Sequence, residues 1–520
     1  MALIPAAGQD DSSGVHILVR SDLKGVTSEM PAPFGKTADE AALLRMDIGF
    51  AHEGVIDVGG RLRQGLGWIL RIVSGEAGWK VDRGSLQFGP GVAQLPDTPG
   101  IVLAGELPHL RLTDWLALAR GEQDGTVSSA LAPFRSADWT IGELDLFGEL
   151  FHDTRVQALR EPGVWQVNLT GADLQGKVTL PEDFSRREPW QVQMQRLWLK
   201  EQSEGDDAGL SDPRGLPPVS VTVDDFGISD MAFGHLLATI QPGVAGVTVS
   251  PLEIDGGSFH ISGDAAWLVV DEDPARQTSR LRVELVSTDL KDTLKRLNYD
   301  PVIDSHQAKA SVDLSWPGPP AENFLAHASG SLHMEVRDGS LVELEPGGGR
   351  LLGILSVTSL PRRLSLDFRD VFDQGFSFDV LQGDFSVNDG QAFTCNLGIE
   401  GPVADMGIVG RTGLRDRDYD QLAVVRPHVS NVLVIGGAVV AGPAVGAAAL
   451  LISQIFRKQL SQLGESYYEI TGPWENPSVE RVQHSDVDSS RFKDCERYLS
   501  ELIPEEVVPD EQVVEPGTAL

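Results

Sequence analysis

The sequence is poor in cysteine, in positive charge and in catalytic motifs. Its 520 residues hold two cysteines, Cys395 and Cys495. A zinc site or a disulfide framework needs more cysteines, or closer ones, so neither is expected, and the redox compartment stays open. Lys and Arg total 42 against 76 Asp and Glu, a formal net charge of -34. That balance excludes a nucleic-acid partner, because phosphate binding needs a basic surface that releases counterions. The eleven histidines form no HExxH or other paired metal spacing. A GxSxG nucleophile elbow is absent. Carboxylate pairs are too common in so acidic a chain for any one to stand out. No metal, no cofactor and no catalytic residue is expected, and the chain is not read as an enzyme. The N-terminus, MALIPAAGQDDSSG, lacks a basic region followed by an apolar run, so no secretory signal is read there. The chain is expected to be either cytosolic or a piece of something longer.

Three stretches imitate ligand sites. GADLQGKV, 171–178, spaces Gly171, Gly176 and Lys177 like a phosphate loop, but Val178 stands where a magnesium-binding Ser or Thr is needed. Its flanks alternate like strands, so a hairpin is expected. PAPFGKT, 31–37, has Met30 in place of the first glycine. RDRDYDQL, 415–422, sets Asp416, Asp418 and Asp420 at calcium-loop spacing. There Gln421 replaces the required glycine and Pro427 the bidentate glutamate, so a solvated strand face is expected.

What is present is alternation. Hydrophobic residues make up 41% of the chain, enough for a folded protein, and a length of 520 suggests two to four domains. In FSVNDGQAFTCNLGIEG, 385–401, Phe385, Val387, Phe393, Cys395, Leu397 and Ile399 all fall on odd positions. Period two marks a strand with one apolar face. With apolar residues odd on both arms, a three-residue loop over Asn388–Gly390 is expected, with Phe385 opposite Phe393 and Gly390 left-handed. LHMEVRDGSLVEL suggests the same turn around Arg337-Asp338-Gly339. WKVDRGSLQF and PLEIDGGSFHI read as hairpins turning at Arg83-Gly84 and Gly256-Gly257. Helices are expected over 112–121, 231–240 and 289–298. Polar breaks at 201–218 and 315–322 mark long loops or boundaries. From Asp486 to Leu520, ten acids and three bases accompany three prolines, which suggests a flexible or partly helical tail.

One apolar run is an exception. No charged residue occurs from Pro427 to Phe456, a length that could span a bilayer. Gly436, Gly437, Gly442 and Pro443 interrupt it, which favours two short helices over one straight span. Such a hairpin would cap the sheet or dip into a membrane. Its membrane-docking candidates are Val432, Leu433, Val434, Ile435, Val439, Val440, Leu450, Leu451, Ile452, Ile455 and Phe456.

Several blocks resemble the YhdP branch of the AsmA-like bacterial envelope proteins. SDLKGVTSEMPAPFGK, 21–36, is similar to a segment of that family's central region. EPGGGRLLGILSVTSLPRRLSLDFRDVFDQGFSFD, 345–379, resembles its most specific C-terminal block. GLRDRDYDQ, GPAVGAAALL and YEITGPWENP follow in the family's order. The resemblance implies a mainly β protein, an elongated, curled, antiparallel-rich sheet forming an apolar groove, with a few short helices and a C-terminal apolar helical segment. It implies a central β-groove region over 1–330, an AsmA-like C-terminal region over 331–485 that includes the helical segment 432–462, and an acidic tail over 486–520. The implied function is non-enzymatic phospholipid transfer between inner and outer membranes, in the periplasm of a Gram-negative envelope. Family members are tethered by an N-terminal inner-membrane helix that this chain is expected to lack, as a fragment or through a misplaced start. The partners implied are phospholipid acyl chains, the two membranes and possible envelope proteins. Groove-lining candidates are Leu364, Leu366, Phe368, Phe376, Phe378, Val380, Phe385, Val387, Phe393, Leu397 and Ile399. The same residues equally describe a dry protein core, as in a structural or assembly factor of the envelope, and periodicity does not separate the two.

Overall fold

The computed structural model describes residues 2–3, 15–115, 133–183, 188–200, 212–320, 323–341, 376–428, 465–483 and 495, less single positions 33, 64, 77 and 147. The chain divides into two compact units, Met1–Leu281 with Pro317–Glu322, and Arg282–Trp316 with Asn323–Leu520. Both are mainly β and antiparallel-rich, as the alternation requires.

The first unit is a ladder in which each strand pairs with the next. It comprises β1 (Ala2–Leu3), β2 (Val15–Ser21), β3 (Leu44–His52), β4 (Val55–Leu62), β5 (Leu66–Gly75), β6 (Gly78–Phe88), β7 (Gly100–Arg111), β8 (Phe134–Leu146), β9 (Glu149–Glu161), β10 (Val164–Thr170), β11 (Leu174–Pro181), β12 (Trp190–Leu199), β13 (Val219–Ile228), β14 (Met231–Pro242), β15 (Gly246–Asp255) and β16 (Phe259–Val270). The pairs β6–β7, β7–β8 and β12–β13 are parallel. Parallel neighbours need a long return connection. The polar break at 201–218 belongs to such a return, between β12 and β13.

β17 (Asp273–Ser287) runs from the first unit into the second. The second unit continues with α1 (Leu290–Arg296), β18 (Ile303–Asp304), β19 (Gln307–Pro317), a 3-10 turn over Phe324–His327, β20 (Ser329–Leu341), β21 (Phe376–Asn388), β22 (Gln391–Glu400), β23 (Ala404–Gly413), β24 (Asp418–Pro427), β25 (Ser466–Pro473) and β26 (Ser478–Val482). From β20 to β26 it is an antiparallel meander. The helix expected at 289–298 is α1, capped by the Asp289 carboxylate, which accepts from the Asp292 amide at 2.9 Å. Residues 112–115 are helical, and the rest of that expected helix lies outside the described residues.

Several local expectations are corrected. MAFGHLLATI is strand β14, where pairing on both sides overrides helix propensity. The expected hairpins at Arg83-Gly84 and Asp338-Gly339 do not form: both pairs lie inside continuous strands, β6 and β20, with a register shift beside Arg83 and a left-handed Asp338 at φ 50°. Their glycines serve close approach. A Cβ on Gly84 would lie 2.4 Å from the Leu70 side chain, and one on Gly339 would lie 2.4 Å from the Phe378 ring. The turn expected at Gly256-Gly257 falls one residue later, with the Gly256 amide donating to the Phe259 carbonyl.

The 385–401 stretch does form a hairpin, but with a two-residue turn. Asp389 and Gly390 have φ of 43° and 73°, as a type I′ turn requires. Val387 therefore faces Ala392, and Phe393 faces Ser386. A register shift between Gln382 and Phe385 then restores the alternation, setting Leu381 opposite Ile399. A bulge, not a longer loop, reconciles the two odd-numbered arms. The two cysteines are also corrected. Cys395 and Cys495 are joined in a disulfide with Cα atoms 5.3 Å apart. Sequence separation hid a pairing that folding supplies.

Candidate functional site

The first unit has one apolar face and one polar face, and the register fixes which residues share each. Across β10 to β15, Val167, Val178, Val192, Val221, Ala238 and Leu252 stand side by side in successive strands. One residue along, Asn168, Lys177, Gln193, Thr222, Leu237 and Glu253 form the parallel row on the opposite face. A second apolar row runs through Leu169, Gly176, Met194, Val223, Leu236 and Ile254. Over β2 to β5, Ile17, Ile48, Val58 and Leu70 continue the pattern. Sequences such as WQVQM and VSVTV produce this because successive side chains point to opposite faces.

The polar face is held by cross-strand ion pairs. Arg71 grips Asp57 through two hydrogen bonds of 2.8 Å. Arg155 grips Asp138 at 2.9 and 2.8 Å, and these bonds hold the Asp138 carboxyl below its usual pKa. Arg196 reaches Asp225 at 2.9 Å with its guanidinium 5.1 Å from the Trp198 ring. Bidentate contacts fix strand register as well as charge.

The apolar face is not dry throughout. Val167, Val178, Val192 and Val221 are half-buried. Their neighbours in the second row are better covered, with Met194 and Val223 at 3% and 0% exposure. At β6 to β8 the face carries aromatic rings. Phe88 meets Phe34 at 5.7 Å and Trp139 at 5.8 Å, and Phe34 meets Trp115 at 5.9 Å, all edge-on. Phe34 comes from the loop that carries SDLKGVTSEMPAPFGK. Lys36 fastens that loop, donating to the carbonyls of Leu23, Val26 and Thr37 at 2.9, 2.6 and 2.9 Å. The block is thus a strut that sets an aromatic ring on the apolar face.

The expected decoys are also explained. GADLQGKV is the β10–β11 hairpin, and Lys177 sits in its second strand on the polar side. Asp418 lies in a strand and accepts from Arg411 at 2.8 and 2.7 Å.

The sequence's groove candidates fall in the second unit. Phe376, Phe378, Phe385, Val387, Leu397 and Ile399 are 0–6% exposed and share one cluster with Leu381, Met406, Ile408, Tyr468 and Leu294. Val380 and Phe393 are half-buried, and the type I′ turn turns Phe393 to the other face. Leu364, Leu366, Phe368 and the stretch 432–456 lie outside the described residues. The half-buried valines of the first unit were not singled out from sequence. Their signal was plain alternation, which becomes informative only when neighbouring strands are known. Among the described residues, no group of His, Cys, Asp or Glu could hold a metal ion, and no helix is long and apolar enough to cross a membrane. What the first unit offers is hydrocarbon surface on one side of a sheet and charge on the other.

Comparison with known proteins agrees with the motif blocks. The chain belongs to the YhdP family, whose profile, described as YhdP protein, matches residues 4–479. It is 23% identical over 484 residues to the intermembrane phospholipid transporter YhdP of Escherichia coli (strain K12), a match covering 90% of this chain and 37% of that protein. The chain therefore spans little more than a third of that relative's length. No solved structure matches the chain.

Proposed function

We propose that this chain carries phospholipid between the inner and outer membranes of a bacterial envelope, as one section of a longer transfer path. Acyl chains lie against the apolar face of the first unit, and headgroups stay in water. No bond is made or broken. One observation carries the reading. The row Val167–Val178–Val192–Val221 is apolar, continuous across strands and only half-buried, while the row beside it on the opposite face, Asn168–Lys177–Gln193–Thr222, is polar. A surface of that kind gains about 25 cal/mol for each Å² withdrawn from water. The relative's name supplies the class of cargo.

The candidates in β21 and β22 are buried by their own unit, so lipid contact is assigned to the first unit. The stretch 432–456 keeps its proposed role in meeting a membrane, and envelope proteins remain the proposed partners. Location in the periplasm accords with the disulfide, since such bonds persist in oxidising compartments. The test is to purify the chain from a Gram-negative host and weigh its organic extract by mass spectrometry. Phospholipid at one or more per chain supports the proposal. A folded, lipid-free protein would instead favour an assembly factor, a reading that the filled core of the second unit supports.

A further inference from the structure

The strands β22 to β25 have two faces, and both are deeply buried at their centres. One carries Leu397, Ile408, Ala423 and Tyr468, which belong to the main cluster of the second unit. The other carries Val409, Leu422, Val424 and Tyr467. These four lie outside that cluster, yet they are 2%, 1%, 1% and 6% exposed. Sheet pairing alone does not bury a valine that far, as Val192 and Val221 demonstrate in the first unit. The same face holds an ion pair, Arg426 with Glu465 at 2.8 Å, whose side chains are 15% and 9% exposed. Tyr467 donates its hydroxyl to that glutamate at 2.8 Å. Something covers this face.

The Cys395–Cys495 bond brings one segment of the chain to this face. The register between β22 and β23 shifts between Thr394–Gly410 and Leu397–Ile408, so Cys395 and Asn396 together oppose Val409. Cys395 is bonded to Cys495, which is helical, 4% exposed and 3.7 Å from the Thr394 carbonyl through its sulfur. In the sequence around it, Phe492, Cys495, Tyr498, Leu499 and Leu502 recur at the spacing of one helical stripe, with charged residues between. We propose that the stretch 490–503 docks through this stripe on the second face of β22–β25, and that the disulfide latches it there. Closing the latch joins two thiols with loss of two protons and two electrons. A disulfide oxidant accepts them and becomes a dithiol. In a reducing environment the face is held by packing alone.

The test uses the full chain, isolated from an oxidising compartment and alkylated without reduction. Non-reducing digestion should yield a peptide linking Cys395 to Cys495. Limited proteolysis then reads the docking. Cleavage within 484–503 should rise about tenfold or more on reduction of the unaltered chain, and equally in Cys495→Ser. Leu499→Asp with Leu502→Asp leaves both cysteines in place and tests the stripe separately, by making the stretch cleavable with the disulfide intact. Two alkylated thiols in the oxidised preparation would overturn the latch. Cleavage at one rate in every form would overturn the docking.

Discussion

Val192 and Val221 stand side by side on the parallel strands β12 and β13, between Val178 and Ala238. Replacing both with Asp places two carboxylates in the middle of the apolar face. Neighbouring strands are about 4.8 Å apart. An acyl chain as long as half a ~30 Å bilayer core, lying across the ladder, therefore covers about three strands. A chain passing over this part of the face meets the pair. A carboxylate under hydrocarbon costs roughly 2.5–3.5 kcal/mol, or about 100-fold in occupancy for each charge. Without lipid both side chains retain access to water, because both positions are half-buried. The cost to the fold is then about 1 kcal/mol per site, the span of strand propensity and cross-strand repulsion. The control is Gln193→Asp with Thr222→Asp, the adjacent pair on the opposite face of the same two strands. It adds the same charge. The assay is phospholipid per chain by mass spectrometry, with thermal melts to establish folding. The valine pair should lose its lipid and the control should keep it. Equal loss, or equal retention, in two folded proteins would refute the assignment of the face.

Other consequences are as direct. Phe378→Asp buries a charge at a position 2% exposed within the packed cluster, and should destabilise the second unit by about 3–5 kcal/mol or more in denaturant melts. Gly84→Ala should cost about 1–3 kcal/mol, because its Cβ would also lie 2.9 Å from the Ile69 carbonyl. A neutral substitution there would mean the ladder is looser than described. Hydrogen bonds from Arg411 hold the Asp418 carboxyl below its usual range. A lowered folded value stabilises fully above the unfolded value near pH 4 and is lost as pH falls through the lowered one. Arg411→Gln should therefore be less stable than the parent at neutral pH, with the gap closing in acid; a gap unchanged down to about pH 2 would contradict it.

Strand content and one-sidedness were legible in the sequence because period two follows from the pleat itself. Turns were less legible. Gly84 and Gly339 look like turn residues, but the strands need them to let Leu70 and Phe378 pass close by. In the 385–401 hairpin, alternation on both arms fits a longer loop or a bulge equally well, and only the partner strand decides. The 231–240 stretch reads as helix because Ala and Leu favour it, until β13 and β15 flank it. The candidate site shifted for a related reason. The most apolar alternating strands, β21 to β25, fill themselves with their own side chains. The more modest valines of β10 to β13 stay half-open. Depth of burial depends on what lies above a face, and a strand's own sequence does not record that.

Whether hydrocarbon lies on one face of the first unit can be read by placing a photo-crosslinking side chain at Val221 and, separately, at Thr222, in cells that make the full chain. Phospholipid adducts are expected from Val221 and none from Thr222, which points to the opposite face. Adducts to protein alone at Val221, or lipid adducts in equal yield from both positions, would contradict the assignment of that face.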